Sequence, residues 1–191
     1  IKLTLKSLAL ANPEIEFRVS SKGKLLNLWT KTENRLARAK QIFENQDLYF
    51  CSHEREGFKV EGVFSSPSQV TQTSRSLYVF VQNRVVQDKG LQAAMTDSYR
   101  NLLMHGEFPL AICWLSCDPQ FVDVNIHPTK SQVKFQDPSL AFRVVHRAFR
   151  SELEKAPWAK FSTARASSPA ANDSSMTAPG DSGNVSMEMS V

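Results

Sequence analysis

The chain has 191 residues, 41% hydrophobic and 22% charged, with a formal net charge of +4. That composition is typical of a globular domain with one substantial core. It excludes a bilayer-spanning helix, since no apolar run approaches the ~20 residues required. The charge is uneven. Residues 1–161 hold 22 of the 23 Lys and Arg but 16 of the 19 Asp and Glu, so a basic body precedes an acidic tail. A basic body suits contact with nucleic acid or phosphate, and equally suits plain solubility. Cys51, Cys113 and Cys117 are odd in number and sit in apolar strand contexts. Buried, reduced thiols are expected rather than a disulfide framework or a metal-binding loop. The chain begins at Ile1, inside helical periodicity and without a signal pattern, and reads as a fragment of a longer protein.

Ile1, Leu5 and Leu8 recur at helical spacing until Asn12-Pro13 closes the segment. Ile15, Phe17 and Val19 then alternate with charged residues as a strand. The turn Ser21–Lys24 returns it to Leu26 and Leu28, which makes a hairpin. Residues 34–43 predict a short amphipathic helix, with Leu36, Ala39 and Phe43 inward and Arg35, Arg38 and Lys40 elsewhere. Phe58, Val60, Gly62 and Phe64 alternate with Lys59, Glu61 and Val63 as a strand. Ser65 to Ser76 reads as a surface loop. Leu77 to Val81 is apolar on both faces and predicts a central strand, followed by a tight turn at Asn83-Arg84.

Asp88 is a good N-cap for a helix whose inner stripe is Leu91, Met95, Ser98, Leu102 and Leu103, with Gly106 just past its end. Leu110 to Cys117 predicts another buried strand. Asp137-Pro138 starts a last helix that turns Phe142, Val145, Phe149 and Leu153 to the core. From Ser162 the chain is Ser, Ala, Thr, Pro and Gly with no aromatic residue, and it reads as a disordered linker. The order of elements indicates an α/β (α+β) two-layer sandwich, a mixed sheet with helices packed on one side.

The most informative stretch is Phe121-Val-Asp-Val-Asn-Ile-His-Pro-Thr-Lys-Ser-Gln-Val-Lys-Phe135. Val122, Val124 and Ile126 alternate with Asp123, Asn125 and His127, and Pro128 ends the strand. Val133 and Phe135 resume the alternation, so a turn presents Lys130. By pattern alone this is either an ordinary hairpin with a solvated lysine or a lysine offered to a phosphate held elsewhere.

The run DVNIHPTKSQVKF resembles the signature of the MutL family of DNA mismatch-repair ATPases. A second block, Leu77-Tyr-Val-Phe-Val-Gln-Asn-Arg-Val-Val-Gln-Asp-Lys89, is similar to another segment of the same proteins, and the two lie in the right order. The resemblance covers roughly residues 1 to 155. It implies the second domain of the N-terminal half, a GHKL transducer with a ribosomal-protein-like fold. Residues 1–12 would then end a helix of the truncated ATPase region, 13–160 would form the transducer domain and 161–191 the disordered linker.

The resemblance further implies that Lys130 enters the ATP site of the preceding domain and contacts the γ-phosphate. Asn125 and His127 would support the loop on the nucleotide-facing side, or merely satisfy backbone groups beside Pro128. Lys89 falls where relatives carry a DNA-contacting basic residue, although the adjacent basic position is Gln87 here. Arg84 adds charge nearby. Arg143, Arg147 and Arg150 form a stripe on the last helix that suits DNA phosphates or a solvated face.

For the parent protein the resemblance implies Mg-dependent ATP hydrolysis and contact with DNA of little sequence preference. It also implies a MutS-type partner and a homodimer or paralogue heterodimer. The place would be the bacterial cytoplasm or the eukaryotic nucleus, with no membrane association. This fragment would neither hydrolyse ATP nor hold a metal on its own. A stand-alone nucleic-acid-binding module of ribosomal-protein-like fold is the alternative, and a transducer of a type II topoisomerase or chaperone is a further one.

Overall fold

The computed structural model describes residues 2–44, 46–123, 132–155 and Trp158. Helix α1 (Lys2–Ala11) leads into a hairpin of β1 (Phe17–Ser21) and β2 (Lys24–Trp29), followed by α2 (Arg35–Ile42). Lys22 and Gly23 both take positive φ, 49° and 76°, as a two-residue turn between twisted strands requires. Asn34 caps α2, its side chain accepting from the Ala37 N–H at 2.8 Å.

The core sheet has five strands in the order β3 (Leu48–Arg55), β4 (Phe58–Ser65), β9 (Ala111–Cys117), β6 (Leu77–Val81) and β7 (Arg84–Val86). β6 and β9 are parallel and the other neighbours antiparallel, so the sheet is mixed. A parallel pair needs a crossover, which α3 (Lys89–Ser98) supplies before the short strand β8 (Phe108–Pro109) pairs with β5 (Val70–Thr71). All five residues of β6 are buried, in keeping with its run of apolar side chains. The predicted turn after it lies one residue earlier, on Gln82 (φ 50°) and Asn83 (φ 60°), with Val81 opposite Arg84.

Alternate sheet residues serve two cores. Val60, Phe64, Val79, Val81, Cys113 and Leu115 face α3 and α4 (Pro138–Lys155). Within α4, Ala141, Val144, Val145, Ala148, Phe149 and Leu153 are buried, each larger one contributing about 1.5–3 kcal/mol. This is the predicted helical layer, and Asp137 caps it as expected through Leu140 N–H to Oδ1 at 2.9 Å. The opposite face is covered as well. Val63, Tyr78, Phe80, Ile112 and Trp114 pack there with Ala9 and Leu10 of α1, Trp29 of β2, and Ala39 and Ile42 of α2.

Gly62 sits mid-strand in β4, where a Cβ would lie 2.5 Å from Cys51 Sγ and 2.6 Å from Phe149 Cζ. Its missing side chain lets α4 descend onto the sheet.

Three further details differ from the sequence expectations. β3 was expected only as the apolar strand context of Cys51, without bounds or a partner, yet it pairs with β4 over eight residues. Its reverse turn is Glu56-Gly57, both at positive φ. The helix α3 stops at Ser98 instead of running on through Leu102 and Leu103. Those leucines still reach the core, but from turns around Asn101, at φ 70°. Arg38 does not face outward; it is fully buried. Its guanidinium donates to the carbonyls of Pro13 (2.8 Å) and Ile15, which clamps the chain between α1 and β1 onto α2.

Candidate nucleotide-facing loop and nucleic-acid surfaces

β10 (Val122–Asp123) pairs antiparallel with β11 (Lys134–Phe135), Val122 opposite Phe135 and Asp123 opposite Lys134. Val122, Val133 and Phe135 are buried, while Asp123 and Lys134 are exposed, so the predicted alternation holds wherever it is described. The pair is anchored beneath the sheet. Phe58 stacks on Phe121 at 5.5 Å and lies 6.3 Å from Phe135, and the Gln136 N–H donates to the Phe121 carbonyl at 3.0 Å. Gly57 makes this possible, since a Cβ there would sit 2.8 Å from the Phe121 ring. Asn125, His127 and Lys130 fall between these strands and lie outside the described residues, as does the whole predicted linker, 161–191.

Gln132, just after that loop, lines a groove of about 370 Å³ together with Lys89, Arg75, Gln87 and Ser7. Lys89 is exposed as the first residue of α3. The N-terminus it occupies is already capped: the Asp88 carboxylate accepts from the Leu91 N–H at 2.8 Å. A phosphate would meet that carboxylate, so Lys89 itself and the first two N–H groups carry any attraction. Arg84 is exposed at the head of β7. Its turn is held from α2, because Arg35 donates to Asn83 Oδ1 at 2.9 Å while pairing with Glu61 at 2.8 Å and lying over Trp114. Burial depresses the Arg35 pKa and Glu61 opposes the shift.

The arginines of α4 fall into two kinds. Arg143 and Arg147 are exposed, one turn apart. Arg150 is engaged: it donates to the carbonyls of Ser98 (3.2 Å) and Arg100 (3.1 Å) and pairs with Glu154 at 2.7 Å. It therefore holds the end of α3 against α4 and drops out of the expected free stripe. Arg143 and Arg147 line a second groove, of about 440 Å³, with Arg55 and His53 of β3. Neither β3 residue was singled out in the sequence. The signal was there in Tyr49, Cys51, His53 and Arg55, which share a face by period two once β3 is read as a strand. Among the described residues no group of three or more His, Cys, Asp or Glu could hold a metal ion, and no helix is long and apolar enough to cross a membrane.

A family model described as "DNA mismatch repair protein, C-terminal domain" matches residues 35–154. The DNA mismatch repair protein MutL of Geobacter sp. (strain M21) is 31% identical over 170 residues, covering 86% of this chain and 26% of that protein. MutL of Syntrophotalea carbinolica is 33% identical over 158 residues, covering 81% and 25%. The chain thus spans about a quarter of the length of the curated relatives it matches. The solved N-terminal domain of a DNA repair protein superposes with a TM-score of 0.65 at 16% identity, over 80% of this chain and 52% of that one. The ATPase domain of Aquifex aeolicus MutL does so with 0.50 at 23%, over 76% and 48%. The B subunit of Myxococcus xanthus DNA gyrase gives 0.51 at 16%, over 86% and 53%. At such identities these likenesses show the fold alone. By the family model and the relatives together, the chain belongs to the MutL family of DNA mismatch repair proteins.

Proposed function

We propose that this chain is the transducer of a MutL-type GHKL ATPase, completing through Lys130 an ATP site formed mainly by the region that precedes it in the parent. The carrying observation is the anchored β10–β11 pair, which brackets the loop bearing His127-Pro-Thr-Lys130 and brings Gln132 into one groove with Lys89. ATP and Mg belong in this reading to the preceding region; the chain contributes one ammonium, with Asn125 and His127 supporting its loop. An ammonium is a compact charge suited to a terminal phosphoryl oxygen. ADP lacks that oxygen, so the contact differs between nucleotide states and biases the position of this domain.

DNA contact belongs to the same reading, with Lys89 and Arg84 attracting backbone phosphates without reading bases. The parent would act as a homodimer or paralogue heterodimer with a MutS-type partner. The decisive experiment is Lys130→Ala in the parent protein, with ATP turnover measured at saturating ATP. Loss of a charge-stabilising contact lowers kcat about a hundredfold; unchanged turnover overturns the proposal. Lys89→Glu should weaken DNA binding by a similar factor on unrelated sequences. A stand-alone nucleic-acid-binding module would show the second effect without the first.

A further inference from the structure

We infer that residues Val185–Val191 of the tail add a further strand to the free edge of β3, with Glu188 turned to the basic groove between β3 and α4. The edge is open. β3 ends the five-stranded sheet, pairs with β4 along all eight of its residues, and has no strand on its other side among the described residues. Half of its backbone N–H and C=O groups therefore point away from β4. The opposite edge, β7, is only three residues long, as edges kept from further pairing commonly are. β3 is long enough to template a partner.

The tail contains one. Val185-Ser-Met-Glu-Met-Ser-Val191 alternates apolar and polar residues without a break, after a turn signal at Gly183-Asn184. Such alternation over seven residues is the pattern of a half-buried strand. Met176 is the only other large apolar residue from Ser162 onward, so the pattern is confined to this stretch. Reach is sufficient. These residues lie outside the described ones, but Trp158 is described, and its ring meets Tyr49 of β3 edge-on at 4.8 Å. The tail thus sets out from beside β3. The 26 residues from 159 to 184 span about 28 Å as a flexible tether, against about 26 Å for the length of β3. A tether matched to its span gives an effective concentration in the millimolar range, which offsets the weak pairing of so short a strand.

Charge decides which face the added strand presents. Cys51, His53 and Arg55 share the α4 side of β3 by period two, while Phe50, Ser52 and Glu54 share the other. On the α4 side Glu188 meets the groove of about 440 Å³ lined by Arg55, Arg143 and Arg147. Arg147 has no ion-pair or hydrogen-bond partner among the described residues, and Arg55 pairs only with its neighbour Glu56. Glu154, the one acid lining the groove among the described residues, is taken by Arg150. His53 Nε2 is enclosed there without a hydrogen-bond partner, and the polar row of the added strand supplies one. The apolar row then runs along Phe50, which is 42% exposed. The reverse placement would set Glu188 beside Glu54 and the methionines beside the arginines. The inference depends on neither Lys130 nor ATP.

The test is amide hydrogen exchange, resolved by residue in NMR, on the full chain and on its Met187→Pro variant, which loses a ladder N–H and cannot pair as a strand. The amides of Val185–Val191 and the outward amides of β3 should exchange at least about tenfold more slowly in the unaltered chain. Glu188→Arg should remove much of that protection, and adding Arg55→Glu with Arg147→Glu should restore it. Those arginines are exposed and the other two positions lie in the tail, so the sheet itself tolerates each change. Equal exchange of the tail amides in the unaltered and Met187→Pro chains overturns the inference. So does tail protection with no change along β3, or failure of the reversed charges to restore what Glu188→Arg removes. Protection that grows with protein concentration, together with a dimer mass in light scattering, overturns it in favour of pairing with a second copy.

Discussion

The hydroxyl of Tyr99 donates to the carbonyl of Ser65 at 2.7 Å, in the buried space where the end of α3 meets the end of β4. Ser65 is itself fully buried and exchanges further bonds with Leu110, whose N–H reaches Ser65 Oγ at 3.2 Å and whose carbonyl accepts from Ser65 N–H at 2.9 Å. One phenol therefore ties the crossover helix to two neighbouring strands. Tyr99→Phe keeps the ring and its edge contact with Phe64 but strands the Ser65 carbonyl. We predict a loss of about 1–2 kcal/mol in urea-induced unfolding with an unchanged m-value. A midpoint equal to that of the parent sequence would show the bond to be energetically idle.

At Gly62 the expected effect is larger, because any Cβ meets Cys51 Sγ and the Phe149 ring at once. Gly62→Ala should cost about 1–3 kcal/mol through overpacking. Adding Cys51→Ala removes one of the two clashes, so the double variant should be more stable than the sum of the singles predicts. Strict additivity would mean that Phe149 alone absorbs the strain.

The thiols give a pH dependence. Burial pushes Cys51 far up and Cys113 up to about 12, and Cys117, partly exposed, to about 11. In the unfolded chain these groups ionise near 9.0. The folded state thus retains protons that the unfolded state releases. This contribution to stability is fully present below about pH 9 and declines as pH rises from there towards the folded values, by at most about 1.4 kcal/mol per pH unit per thiol. Unfolding titrations at pH 8 and pH 10 should show the decline, and Cys113→Ala should reduce it. A flat profile would contradict the burial assigned to these sulfurs. With Ellman-type reagents at pH 8, Cys117 should react before Cys51 and Cys113.

Removing Arg38 should loosen one end of the molecule. Arg38→Ala leaves the carbonyls of Pro13 and Ile15 without their donor and empties a fully buried volume. A loss of about 3 kcal/mol is expected, together with faster amide exchange across β1 and β2. Protection in the hairpin equal to that of the unaltered chain would count against the clamp.

Much of this architecture could be read from residue order. The unbroken apolar run Leu77–Val81, the alternation Phe58–Phe64 and the carboxylate caps Asp88 and Asp137 each encode their element locally, and each is found. β3 escaped because an edge strand is only half buried, so Ser52, Glu54 and Arg55 dilute its pattern, and its turn signal, Glu56-Gly57, is short. Leu102 and Leu103 mislead for the opposite reason: they are apolar because the core needs them, although the helix carrying Leu91 and Met95 has already ended. Arg38 looked like a surface cation, and nothing local announces that two carbonyls some 25 residues earlier in the chain need its protons. The β3–α4 groove was illegible in the same way, since Arg55 and Arg147 meet only through tertiary packing.

Helix α1 touches two things at once. Ala9 and Leu10 are sealed against the sheet with Phe80 and Ile112, while Leu3 and Ser7, one to two turns back, wall the cleft shared by Lys89 and Gln132. The two ends of one ten-residue helix are therefore built into different surroundings, the last turn into the hydrophobic layer and the first half into the rim of the basic cleft.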